Sequence, residues 1–168
     1  TGRVLVVDQA GRRRRLLDAR ASIDGGVGIA DDGTLVVGND LGELIAFATD
    51  GSVRFTLVTE GELRGAPAIT EAGAIIIGSF DANIRVVAAD GSVRHTLPTL
   101  GPLRGSARLD KAGRIYLGGR DDRLHVLAEN GEVLYRLEVG ADVDGAIALA
   151  PDGTLYVAAD DGALHVYR

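Results

Sequence analysis

The chain has 168 residues, 46% of them hydrophobic and 25% charged, the balance of a water-soluble globular domain. Its net charge of −6 speaks against nucleic acid as a partner, and the absence of cysteine removes disulfides, thiolate metal sites and thiol nucleophiles. No apolar run approaches the roughly 20 residues that cross a bilayer, and the opening TGRVLVVDQAG lacks the layout of a signal peptide.

The first predicted element is RVLVVD (3–8), followed by Gln9-Ala10-Gly11 and a second run, RRRLLDA (13–19). Short runs rich in Val, Ile and Leu, bounded by Gly or Asp, predict strands joined by a tight hairpin. Four such runs then recur in fixed order. They are clearest as APAIT (66–70), AIIIGS (74–79), NIRVVAA (83–89) and VRHTLPT (93–99), designated A, B, C and D. In these terms the chain opens on C and D and closes on A, B and a further C, ALHVYR (163–168). No window carries a helical period, so the whole chain is predicted to be antiparallel β.

The order recurs because the sequence does. DGSVRFTL starts at Asp50 and DGSVRHTL at Asp90. Three glycine series share that 40-residue spacing: Gly33, Gly73, Gly113 and Gly153; Gly11, Gly51, Gly91 and Gly131; Gly25, Gly65, Gly105 and Gly145. Glycine at the end of a hairpin turn supplies the positive φ that the turn needs. The B and C runs, such as TLVVG, AIIIG and RLHVLA, are apolar at successive positions, so each small sheet is expected to be covered on both faces. Four-stranded units of about 40 residues that can cover one another only face to face predict a β-propeller. We read residues 1–168 as one such domain, with units at about 26–65, 66–105 and 106–145 and a fourth split between 146–168 and 1–25.

The phrase PDGTLYVAADDGALHVYR (151–168) resembles the repeat of the PQQ-like propellers, the family of quinoproteins and of the outer-membrane assembly lipoprotein. All four units carry the resemblance. It implies seven or eight blades in the closed ring and, for a relative of this kind, a soluble bacterial periplasmic or extracellular protein. It also implies a Trp on strand D that docks between blades, where this chain has FTL, HTL and YRL. The dehydrogenases of the family use a Trp, often a vicinal Cys pair, and Glu, Asn and Asp ligands for calcium. Trp and Cys are both missing here, so no catalytic residue is carried over, no cofactor is expected, and the chain is read as a non-enzyme.

Seventeen strands are expected, one C strand more than four closed blades hold. An unclosed stack would leave two apolar faces bare. A homodimer forming one eight-bladed ring avoids that and is favoured; a four-bladed ring within one chain and other oligomers are the alternatives. The seam is filled either by Arg3, Val4, Leu5, Val6 and Val7 or by Leu164, His165, Val166 and Tyr167. The N-terminal strand is favoured because it arrives in a hairpin with its own D strand.

Chemistry-bearing side chains fall on turns. Asp24, Arg64, Arg104 and Asp144, each before a channel-side glycine, are expected to ring one mouth of the channel. They form either a site for a small polar ligand or peptide, or ion pairs Asp24–Arg64 and Arg104–Asp144 that order the blades. Asp40, Asp81, Asp121, Asp122, Asp160 and Asp161 lie in B–C turns without the alternating spacing of a calcium loop, so no metal is expected. Arg12 to Arg15 read as a charged edge rather than a phosphate site, and His125 and His165 as packed or rim residues. The expected role is a non-catalytic scaffold or protein-interaction module that self-assembles into a ring. An engineered or excised repeat protein fits the unbroken period, and a ligand- or cofactor-binding propeller is the alternative.

Overall fold

A computed structural model describes residues 2–168 as seventeen strands and no helix. β1 (Arg3–Val7) and β2 (Arg13–Asp18) form a two-stranded sheet. Three four-stranded meanders follow. The first is β3 (Gly28–Ile29), β4 (Leu35–Gly38), β5 (Glu43–Phe47) and β6 (Val53–Val58). The second is β7 (Ala68–Ile69), β8 (Ile75–Ser79), β9 (Asn83–Val87) and β10 (Val93–Pro98). The third is β11 (Arg108–Leu109), β12 (Ile115–Gly118), β13 (Arg123–Leu127) and β14 (Val133–Glu138). A three-stranded sheet of β15 (Ile147–Leu149), β16 (Leu155–Ala158) and β17 (Leu164–Tyr167) completes the chain. Every pairing is antiparallel.

The turns form where glycine permits them. All eight glycines of the two hairpin series have positive φ, from +73° at Gly11 to +90° at Gly91. The third series does something else. A Cβ on Gly65 would lie 2.3 Å from the Gly105 carbonyl oxygen, and one on Gly25 would lie 2.6 Å from the Gly65 carbonyl carbon. These two glycines let the connections of neighbouring units pack backbone against backbone. The inner strands are shorter than the five-residue runs predicted. Pro67 has no N–H to give a ladder, and the Ala66 carbonyl accepts instead from Ala107 N of the next unit (3.0 Å).

The core consists of four apolar layers, each between consecutive sheets. Leu17 and Ala19 meet Val37, Ile45 and Phe47. Val36, Leu44 and Ala46 meet Ile75, Ile77 and Val87. Ile76, Ile84 and Val86 meet Ile115, Leu117 and Leu127, and Tyr116, Leu124 and Val126 meet Ile147, Leu155 and Val157. Adjacent residues in one strand thus serve opposite layers, which is why the B and C strands read as continuous apolar runs. Each sheet has a forward face, toward higher residue numbers, and a backward face.

The Trp docking implied by the resemblance is retained in altered form. Phe55 on β6 packs over Gly91, with its ring 2.6 Å from where a Cβ would sit. His95 on β10 does the same over Gly131 at 3.3 Å, and Arg15 on β2 over Gly51 at 3.2 Å.

Candidate functional site

The residues predicted to ring the channel mouth stand at one end of the stack, and the backbone explains why. In every unit the B–C turn donates to the D–A connection. Asp40 N reaches Ser22 O at 3.0 Å, Phe80 N reaches Glu62 O at 3.0 Å, Arg120 N reaches Pro102 O at 2.9 Å and Asp160 N reaches Asp142 O at 2.9 Å. Two columns of side chains are thereby held side by side: Asp24, Arg64, Arg104 and Asp144, and Asp40, Phe80, Arg120 and Asp160.

Arg64 is the centre of one cluster. Its Nε lies 2.7 Å from Glu62 Oε2, 3.6 Å from Asp40 Oδ1 and 3.7 Å from Asp24 Oδ2, and its guanidinium sits 5.2 Å above the Phe80 ring. None of these carboxylates lies on the line of the Nε–H, so Arg64 Nε is buried in charge contacts without an aligned hydrogen bond. Asp144 centres the second cluster. It accepts from Arg120 Nε (2.8 Å) and Nη2 (2.6 Å), while Arg104 stands 3.9 Å away. The bond to Asp144 raises the Arg120 pKa, and burial raises that of Asp142 beside it. Asp40 Oδ1 and Asp144 Oδ1 are buried without a hydrogen-bond donor.

The two clusters border a cleft of about 310 Å³ lined by Asp24, Arg64, Arg104, Ser106, Arg108 and Asp144. Both expected ion pairs, Asp24–Arg64 and Arg104–Asp144, are brought together, each near the limit of contact. Glu62, Phe80 and Arg120 are additions to the residues predicted for the mouth. The signal for Phe80 and Arg120 lies in the 40-residue column Asp40, Phe80, Arg120 and Asp160 of the B–C turns, and Glu62 lies on the D–A connection two residues before Arg64. Arg108 also departs from the repeat, standing where the other units have Gly28, Ala68 and Ala148.

Three of the acidic turn residues, Asp81, Asp121 and Asp161, are engaged locally. Asp81 pairs with Arg85 at 2.6 Å; burial works to raise its pKa, but bonds from Arg85 and Asn83 outweigh that and hold it low. Asp121 lies 3.1 Å from Nε2 of His125, a buried residue whose pKa burial lowers against the pull of that carboxylate. Asp161 and His165 repeat the contact at 3.0 Å on the last sheet, partly exposed. Arg12 and Arg14 both pair with Asp8 (2.9 and 2.8 Å), closing the first hairpin on itself. Among the described residues no three His, Asp or Glu side chains converge as metal ligands.

The two strands predicted for the seam are in different sheets and are not paired with each other. Val4 and Val6 face the first layer, whereas Leu5 and Val7 point outward and are 54% and 51% exposed. At the other end Tyr167 packs into the last layer, but Leu164 and Val166 are 61% and 48% exposed.

The family model described as outer membrane protein assembly factor BamB matches residues 1–110. The crystal structure of BamB from Moraxella catarrhalis superposes with a TM-score of 0.78 at 25% identity, over 90% of this chain and 48% of that one. This chain therefore spans about half the length of that BamB. The computationally designed Ika4 protein superposes with a TM-score of 0.72 at 14% identity, over 89% of this chain and 92% of Ika4. No curated protein matches by sequence.

Proposed function

This chain belongs to the PQQ-like family of the outer membrane protein assembly factor BamB, and from that premise we propose that it is a non-catalytic, protein-binding propeller module completed by a second copy of itself. The observation that carries the reading is the state of its two end faces. Leu164 and Val166 on the last forward face are bare. Their equivalents in the other units are buried: Leu44, Ile84 and Leu124 for the first, Ala46, Val86 and Val126 for the second. Leu5 and Val7 on the first backward face are bare, while Ile45 and Phe47 are buried.

Every internal sheet has a neighbour on each face, and the first and last sheets each lack one, which a second copy of the chain supplies. Joined head to tail around a two-fold axis, two chains complete each other's end sheets at two seams and leave no free end, and the contact closes instead of propagating into a filament. The charged mouth, with its cleft of about 310 Å³ and arginines alternating with carboxylates, is then the face offered to a protein or peptide partner.

Light scattering over a dilution series tests the assembly. The expected mass is twice the 17.5 kDa of one chain. A compact species of 17.5 kDa at every concentration would leave the four-bladed ring and overturn the two-chain reading.

A further inference from the structure

The outer strands show which hairpin closes the ring. Arg15, Phe55 and His95, spaced by 40 residues, each pack on the C–D turn of the following sheet at Gly51, Gly91 and Gly131. The next member of the side-chain series is Tyr135, which is 42% exposed and has no such turn over it; Arg15 and His95 stay exposed beside their turns, but the Phe55 ring is half-buried by its own. The first member of the glycine series is Gly11, which has no atom within 4 Å of its Cβ position. One is a side chain without its turn and the other a turn without its side chain.

A second mismatch points the same way. β17 pairs with β16 alone and carries no outer strand on its free edge, whereas β5, β9 and β13 are each flanked by one. β1 repeats the place of β17 and is already paired with an outer strand, β2. Ile29 is the third. Its equivalents Ile69, Leu109 and Leu149 pack into the layers beside them, but Ile29 is 67% exposed, because the sheet behind it consists of β1 and β2 alone.

We propose that in the assembled ring the β1–β2 hairpin of a second copy takes the place of β17 beside β16, seating its Gly11 turn over Tyr135 and releasing β17 from the sheet. The inference rests on the two-chain reading above and specifies its seam. By the 40-residue register, Leu155, Tyr156, Val157 and Ala158 exchange Tyr167, Val166, His165 and Leu164 for Val7, Val6, Leu5 and Val4 of the second copy. Leu5 then faces Val157 in place of His165. The same step sets β15 and β16 behind the second copy's first full sheet, where its Ile29 is bare.

The chain contains no tryptophan, so Tyr135→Trp introduces a single reporter. Its emission and its quenching by acrylamide are followed together with light-scattering mass over a dilution series, in the otherwise native chain and with Val166→Asp added. The expected result is a dimer in which the tryptophan shifts to the blue and becomes protected as the dimer forms, unchanged by Val166→Asp. A dimer with a solvent-exposed tryptophan, or a dimer lost on Val166→Asp, overturns the exchange while leaving the two-chain ring. A monomer at all concentrations overturns the ring and the exchange with it.

Discussion

Truncating Leu5 to Ala separates the seam from the rest of the fold. In the single chain Leu5 is 54% exposed and faces away from the layer that Val4 and Val6 help to form, so monomer stability should change little. At a closed seam it would be buried as Ile45 is. Leucine truncation at such a site costs about 2 kcal/mol at the low end of the measured range, since half of the side chain is already covered in the monomer. A two-fold ring has two identical seams, so the dimer should lose about 4 kcal/mol, close to a thousandfold in Kd. Leu164→Ala, which trims a more exposed side chain on the strand that is released, should leave Kd within about threefold. Sedimentation velocity from nanomolar to micromolar chain reads both. Equal losses for the two variants, or a loss for Leu164→Ala alone, would refute the assignment of β1 to the seam.

Two further outcomes test the interior. Gly65→Ala sets a Cβ 2.3 Å from the Gly105 carbonyl oxygen, where backbone on both sides cannot give way. A cost of about 1–3 kcal/mol should appear as a fall in Tm of roughly 2–12 °C by calorimetry, and an unchanged Tm would mean the inner strands are not so close. Burial lowers the His125 pKa below its ordinary 6.5, so the fold holds the neutral ring and the unfolded chain binds the extra proton. The associated stability is complete above about pH 6.5 and is lost as pH falls below it, through the folded-state value. Urea midpoints between about pH 7.5 and about pH 5.5 should fall in the native chain and stay flatter in His125→Gln; parallel slopes would refute the buried-histidine account.

Much of the fold is legible in the sequence because its signals are local. Glycine at the end of turns such as Asp32-Gly33, repeated every 40 residues, marks the hairpins through a backbone requirement that a single residue type meets. The mouth is half legible. Asp24, Arg64, Arg104 and Asp144 precede a recurring glycine and stand out as a column, whereas Phe80 and Arg120 join them only through hydrogen bonds between two loops about 20 residues apart. The resemblance implies a Trp on strand D that this chain lacks, yet a turn glycine one unit ahead accommodates the ring of Phe55 or of His95.

The order of residues alone determined the strands, their period of 40 and the need for cover on both faces, since alternation and turn geometry act over a few neighbours. Which of two adjacent apolar residues serves which layer, and which faces are left bare, only the tertiary structure decided. Leu44 and Leu164 occupy the same place in the repeat and carry the same side chain, and one is buried while the other is 61% exposed. The difference comes from whether another sheet stands in front of them, which is a property of the stack and not of the strand.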